Sequence, residues 1–408
     1  MRYNKIVNSY FKLPRNIYVL SISQVIGMAA TTMVVLLGGI IGTDMAPSPS
    51  LATLPVTLMV LGLAVATIPA VILMKKIGRK KGFIASSITA VFSMLLAAFA
   101  ITQNNFFLFC TATFLLGTIG GFMQQYRFAA LESVQKDLAS KAVSMVLFAG
   151  IFAGFLGPEI AKHTKNLFSL QTYAGSFVTL SILFFATSII LLMFKDSKPQ
   201  DEEAHGKERP LFLIVRQPIY LLAVLAGSIG YGVMVFIMSA SPIHLHKISH
   251  FSLDNTAFVI QSHIVAMFLP SLVTGALIQK FGIFRILITG LVSFLAAVFI
   301  SINAKEIPSY WLALVLLGIG WNFLFISSTV LLPRSYNQKE RFKAQGINDF
   351  IVVISQTLGS FLAGSLLFSI KWANLNLFAL PFIISTLAIF VIFKKQFATS
   401  PNKSSIKT

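Results

Sequence analysis

LMKKIGRKKG (Leu73–Gly82) and GALIQKFGIFR (Gly275–Arg285) decide the fold. Each follows or closes a long apolar run. Each sets a glycine, Gly78 or Gly282, beside basic residues. The two glycines lie 204 residues apart (282 − 78). A second echo accompanies them. Lys141-Ala142 opens an apolar run that reaches Gly157, and Lys343-Ala344 opens one that reaches Gly359; both pairs are offset by 202 (343 − 141 and 359 − 157). Self-similarity at half the chain length points to two copies of one unit in the same orientation.

Composition names the solvent. The 408 residues are 56% hydrophobic and 11% charged, with a mean hydropathy of +0.82. A water-soluble domain carries about a quarter charged residues. The expected class is therefore an all-α polytopic membrane protein. Twelve runs of about 20 residues or more are each long enough to cross the hydrocarbon core. They fall at roughly 17–42, 51–74, 83–102, 106–127, 141–161, 173–194, 217–240, 254–279, 284–303, 308–333, 344–367 and 373–393. The polar stretch 195–216 (KDSKPQDEEAHGKERPLFLIVR) splits them six and six. The expected organisation is a six-helix half over 1–194, a linker over 195–216 and a second half over 217–408.

Basic residues orient these spans. With the N-terminus inside, five of the 32 Lys and Arg (Lys162, Lys165, Lys247, Lys305 and Lys371) fall in outer loops, and the other 27 (32 − 5) fall inside. Both termini and the linker are thus expected in the cytoplasm. The same bias explains the net charge of +19 without a nucleic-acid partner, since the charge is spread over short loops. The partner implied by composition is the lipid bilayer. Cys110 is the one cysteine, so no intrachain disulfide and no C-x-x-C motif is available. There is no Walker loop and no nucleophile–base constellation, so neither an ATP-driven pump nor an enzyme is expected. No cofactor is expected.

A chemical pattern stands in the stretch from Tyr231 to Met267. Met234 and Met238 are four apart in one apolar run, and His263 and Met267 are four apart in the next. Residues four apart share a helix face. Thioethers and imidazole suit a soft ion such as Cu(I). The same spacing suits methionines that fill gaps and a histidine bonded to a neighbouring helix. His244, His246 and His250 fall between these runs, where they either collect metal at the entrance or reflect an outer loop that tolerates histidine freely.

Resemblance adds to this. Twelve helices, a central linker and a G-x-L-x-D-R-x-G-R-like loop after spans 2 and 8 resemble the major facilitator superfamily. Leu73, Lys76, Gly78, Arg79 and Lys80 match in the first copy, and Gly275, Leu277, Lys280 and Gly282 in the second. The acidic position holds Lys75 and Gln279 instead. Gly150, Gly154, Gly157 and Pro158 are similar to a Gly-Pro-rich motif of exporters, or serve close helix packing. QQYRFAALES (124–133), AGIFAGFLGPEIA, MVFIM, HIVAMFLPSLVTGALI, GWNFLFISS and QGINDF resemble the CcoA-like branch, which contains copper importers and also resembles riboflavin importers. The resemblance implies an inner-membrane secondary transporter. Its copper motifs map onto Met234, Met238, His263 and Met267, with copper as cargo and copper-delivery proteins as partners. The alternatives are an organic solute (riboflavin, a siderophore or a drug) and a non-transporting membrane receptor or assembly factor.

Spans 1, 4, 7 and 10 line the cavity in that superfamily. The resemblance therefore makes Gln24, Met28, Gln124, Trp321 and Asn322 cavity candidates, against interhelical hydrogen bonding as the bland alternative. Arg127 and Asp349 end spans of different halves and are gate candidates, expected to pair in one transport state.

Overall fold

The computed structural model describes residues 13–135, 138–167, 171–196 and 209–398, and among them every regular element is helical. In chain order the long helices are α1 (Arg15–Met45), α2 (Leu54–Ile77), α3 (Arg79–Thr102), α4 (Phe106–Met123), α5 (Ala139–Thr164) and α6 (Ala174–Leu191). Then come α7 (Pro218–Ile243), the bent α8 (Leu253–Phe268 and Ser271–Phe281), α9 (Ile283–Asn303) and α10 (Ile307–Leu331). The run Arg341–Phe378 is interrupted at Lys371, whose φ of 64° ends α11 (341–370) and starts α12 (372–392). Among the described residues nine stretches are long and apolar enough to cross a membrane, ten with the bent α8 counted as one span. One of these, Lys343–Ile392, contains the Lys371 break and so holds both α11 and α12. With α5, the architecture is that of twelve spans. Large apolar side chains such as Phe92, Phe107, Leu272 and Ile392 stay exposed, as a lipid solvent permits.

The chain forms two compact units. One holds the described residues up to 196 together with Leu245–Ala257; the other holds 209–244 and 258–398. Most of the central linker, 197–208, lies outside the described residues.

The repeated loop has the same backbone in both units. Gly78 has φ 89° and ψ 155°, and Gly282 has φ 83° and ψ 150°. Only glycine adopts that conformation without strain. Each glycine N–H closes the preceding helix, onto the Met74 and Ile278 carbonyls, both at 2.9 Å. Each then caps the next helix. Position 75 carries lysine, and acids from elsewhere in the first unit meet this loop. Arg79 makes a two-pronged pair with Glu132 at 2.6 and 2.7 Å, and Asp196 accepts from the Lys80 N–H at 2.9 Å.

Glycine sets the helix contacts. A Cβ on Gly157 would meet the Thr32 hydroxyl and the Ala29 carbonyl, so α5 lies directly on the α1 backbone. Thr32 Oγ1 donates across the seam to the Ala153 carbonyl at 3.0 Å. In the second unit a Cβ on Gly359 would stand 2.6 Å from the Gly232 carbonyl, joining α11 to α7 in the same way. The spacing of 202 read in the sequence is thus the spacing of two equivalent packing seams. A polar contact also repeats at the starts of α1 and α7. Asn16 donates to Ser133 at 3.0 Å, and Gln217 donates to the Ser335 carbonyl at 2.8 Å, with Ser133 and Ser335 again 202 apart (335 − 133).

Two spans expected to be continuous are broken. α4 stops at Met123 and resumes as a short helix Tyr126–Glu132. α8 bends by 44° between Phe268 and Ser271. Pro270 is the cause, because it has no N–H and cannot continue the ladder. Helix bounds otherwise shift by a few residues at each end.

Candidate functional site

The break in α8 creates the polar centre of the second unit. The freed Met267 carbonyl needs a donor, because no water reaches backbone groups inside hydrocarbon. Asn322 on α10 supplies it at 2.7 Å. Its second N–H reaches Ser271 Oγ at 2.6 Å, and its oxygen accepts from Thr274 Oγ1 at 2.7 Å. The buried Asn322 amide is spent on this clasp.

One and two turns earlier the same two helix faces meet again. His263 is fully buried, and its Nδ1 lies 2.7 Å from the Leu314 carbonyl. That bond puts the proton on Nδ1 and leaves Nε2, which has no protein partner, with a free lone pair. A Cβ on Gly318 would stand 2.7 Å from the His263 carbonyl, so α8 and α10 touch closely here. His263, Met267 and Ser271 on α8 therefore face Leu314, Gly318 and Asn322 on α10. The four-residue spacing of His263 and Met267 is that of a helix–helix seam. Met267 is half-buried, while Met234 and Met238 are buried on α7. Among the described residues no group of three or more His, Cys, Asp or Glu stands together.

Beside the seam lies an aromatic group from three helices. Trp321 and Phe325, one turn apart on α10, stack at 5.0 Å and 13°. Tyr231 of α7 stands edge-on to both, at 5.0 Å and 83° and at 5.1 Å and 81°. Phe268, at the α8 break, is edge-on to Trp321 at 5.9 Å. Trp321 is 2% exposed, and its Nε1 has no partner. Tyr231, Phe268 and Phe325 are half-buried. Of these four rings the sequence singles out Trp321 as a site residue. The others carry one faint signal: aromatics at i and i+4 in WNFLF, and a tyrosine one helical turn before Val235.

The remaining candidates divide between the units. Gln24 and Met28 are half-buried on α1, and the Gln24 Oε1 is buried without a partner. Gln124 is half-buried at the α4 break. Arg127 is exposed, with its guanidinium over the Phe128 ring at 4.8 Å. In the second unit the exposed Asp349 accepts from Asn348 at 3.0 Å.

Of the three histidines expected in an outer loop, two have packed or hydrogen-bonded rings. His244 extends α7, stacks on Trp372 at 4.4 Å and 3°, and reaches the Tyr310 hydroxyl at 3.0 Å. His246 Nδ1 meets the Phe251 carbonyl at 2.9 Å, and His250 takes a left-handed φ of 56° at the turn. The connection that follows is strapped within the first unit. Lys247 pairs with Asp44 at 2.6 Å, and Asp254 pairs with Lys162 at 3.4 Å.

Comparison with known proteins agrees with this architecture. Riboflavin transporter RfnT of Brucella anthropi is 36% identical over 380 residues, spanning 93% of this chain and 95% of its own. An uncharacterized MFS-type transporter of Bacillus subtilis, YddS, is 27% identical over 91% of this chain and 90% of its own. Among solved structures, the POT family transporter PepTSo matches with a TM-score of 0.75 at 12% identity, over 95% of this chain and 99% of that one. A bacterial homolog of the human lysosomal transporter Spinster matches with a TM-score of 0.73 at 12% identity, over 95% and 99%. At such identities the structures speak for the fold alone. A family model described as Major Facilitator Superfamily matches residues 20–341 and 263–408, and with it the duplicated glycine loops, the paired units and the relatives agree: the chain belongs to the major facilitator superfamily.

Proposed function

We propose that this multi-pass secondary transporter carries an organic solute of the riboflavin class, in a bacterial inner membrane with both termini in the cytoplasm. The observation that carries the reading is the 36% identity to a riboflavin transporter over nearly the whole of both chains. The aromatic group on α7, α8 and α10 supports it, because a flat conjugated solute is held by ring faces and edges. The lysine bias supports the orientation.

Copper is the second reading. His263 Nε2 favours it, as a buried nitrogen with a free lone pair one turn from Met267. Against it stands the close packing of α8 on α10 at His263, whose Nδ1 is held by the Leu314 carbonyl.

The test is uptake of labelled riboflavin by a riboflavin-requiring strain without its own importer, with and without this protein. The expected result is uptake that appears with the protein and is unchanged by a copper chelator. Met234→Leu and Met238→Leu keep volume and apolarity, at a cost under about 1.5 kcal/mol, and should transport flavin normally. Chelator-sensitive copper uptake that is lost in Met234→Leu and His263→Gln, with no flavin uptake, would replace the flavin reading by the copper reading.

A further inference from the structure

We infer that Tyr231, Phe268, Trp321 and Phe325 form a stacking subsite for a planar heteroaromatic ring, with Trp321 Nε1–H donating to an acceptor on that ring. The inference rests on the organic-solute reading and deepens it: it assigns the recognised chemistry to the ring of the solute and not to its polar chain.

The argument begins with an unmet donor. The indole N–H can only donate. A buried donor left unpaired is costly, and more so where no water enters. Trp372, in the same unit, shows the usual outcome: its Nε1 donates to the Ser301 carbonyl at 3.0 Å. Trp321 Nε1 has no such acceptor, although its ring is more deeply buried than that of Trp372. Its chain neighbour Asn322 is fully engaged by Met267, Ser271 and Thr274. Trp311 Nε1 is also unpaired, but that ring is half-buried and joins none of the aromatic groups.

The second observation is shape. Trp321 and Phe325 are nearly parallel and lie face over face, so each covers part of the other along α10. Tyr231 stands at close to a right angle to both, and Phe268 stands at 71° to Trp321. The indole N–H lies in the plane of its ring, so a flat solute that accepts from it would lie edge to edge with Trp321 and meet the neighbouring rings by face or edge. Tyr231, Phe268 and Phe325 keep exposed area, unlike the packed core rings Phe294 and Phe109, which are fully buried. Half-buried rings around one unmet donor suit a flat ring bearing a carbonyl or an imine nitrogen.

The third observation is placement. The four rings come from α7, α8 and α10, and Phe268 sits on the last turn before the Pro270 break. The Asn322 clasp holds that break in place, so the subsite stands on a fixed scaffold.

The experiment is a fluorescence titration of the purified full-length protein in detergent. The probes are riboflavin and lumichrome, which is the ring system without the sugar-alcohol chain; ribitol, the chain without the ring, is the competitor. The expected result is quenching of both fluorophores, with no displacement by excess ribitol. Trp321→Phe keeps a ring and removes the N–H, and should raise both dissociation constants about tenfold. Tyr231→Leu and Phe325→Leu remove half-buried rings and should weaken both probes similarly. They carry the test if Trp321→Phe is not monodisperse. Phe92→Leu, on an exposed face of α3, should leave binding unchanged. Failure of both probes to bind, or wild-type affinity in all three site variants, overturns the inference. Lumichrome binding that depends on Trp321, without riboflavin binding, keeps the subsite and removes riboflavin as the solute. Riboflavin uptake with an unchanged dissociation constant in the variants keeps the function and removes the subsite.

Discussion

Gly157→Val should yield no monodisperse protein, while Gly275→Ala should be as stable as the parent or slightly more so. Both glycines sit in motifs that resemble the superfamily, so motif membership does not separate them. What a Cβ meets does. At Gly157 it meets the Thr32 hydroxyl and the Ala29 carbonyl, within reach of the Met33 N–H at 3.0 Å. Two of those three are backbone, which cannot swing aside. Relief requires α5 to leave α1 along the whole seam, including the Thr32 to Ala153 hydrogen bond. Overpacking of a rigid contact costs about 1–3 kcal/mol and sometimes more, so Gly157→Ala should already lower the unfolding temperature in detergent. Gly359→Val should behave as Gly157→Val, since its Cβ would meet the Gly232 carbonyl. At Gly275 nothing lies within 4 Å, and the repeat-equivalent residue, 204 positions earlier, is an exposed Val71. Alanine there removes a flexible helix glycine and should gain about 0.5–1 kcal/mol. Normal gel filtration of Gly157→Val would mean that α1 and α5 are not in direct backbone contact.

That contrast shows what the sequence makes legible. The offset of 202 was visible as letters, and it corresponds to a physical fact: Gly157 and Gly359 are close-approach points on α1 and α7. Gly78 and Gly282 were visible for the same reason, because a left-handed turn between two helices admits little else. Twelve apolar runs follow from the solvent. The breaks were harder. Pro270 interrupts α8, but apolar residues continue on both sides, so hydropathy alone runs straight through it. His244 reads as a loop residue because histidine is polar, yet stacking on Trp372 lets it extend α7.

The candidate site was legible only in part, and the reason is tertiary. His263 and Met267 have the spacing of two ligands on one face, and the spacing of two residues in a seam is identical. Only the partner helix can distinguish them, and here Leu314, Gly318 and Asn322 of α10 meet His263 Nδ1 and the His263 and Met267 carbonyls. The aromatic group draws on α7, α8 and α10, with Tyr231 and Phe325 94 residues apart (325 − 231). No window along the chain brings such rings together.

Outside the membrane spans, Glu340 should control acid stability. Its side chain is fully buried and accepts from Arg209 Nε at 2.8 Å, Arg209 Nη2 at 2.7 Å, the Arg209 N–H at 2.8 Å and the Asn337 N–H at 2.9 Å. Arg209 also donates to the Ser335 carbonyl at 3.0 Å, beside the Gln217 contact, so this carboxylate ties the chain ahead of α7 to the loop after α10. The Arg209 side-chain hydrogen bonds, helped by the two N–H donors and opposed by burial, bring the carboxyl from an ordinary 4.5 down to about 2. A depressed carboxyl contributes its stability in full above about pH 4.5. That contribution falls away as the pH drops from 4.5 toward 2, where the folded state too takes up the proton. Arg209 is 43% exposed, which screens the pair, so the contribution at neutral pH is on the order of 2 kcal/mol. Glu340→Gln should lower the unfolding temperature at pH 7 and flatten its decline between pH 4.5 and pH 3. The difference between parent and variant should therefore shrink as the pH falls. Parallel curves across that window would show that Glu340 is not held ionised by Arg209. A difference that widens toward acid would reverse the sign of the linkage and place the stabilising proton on the folded state.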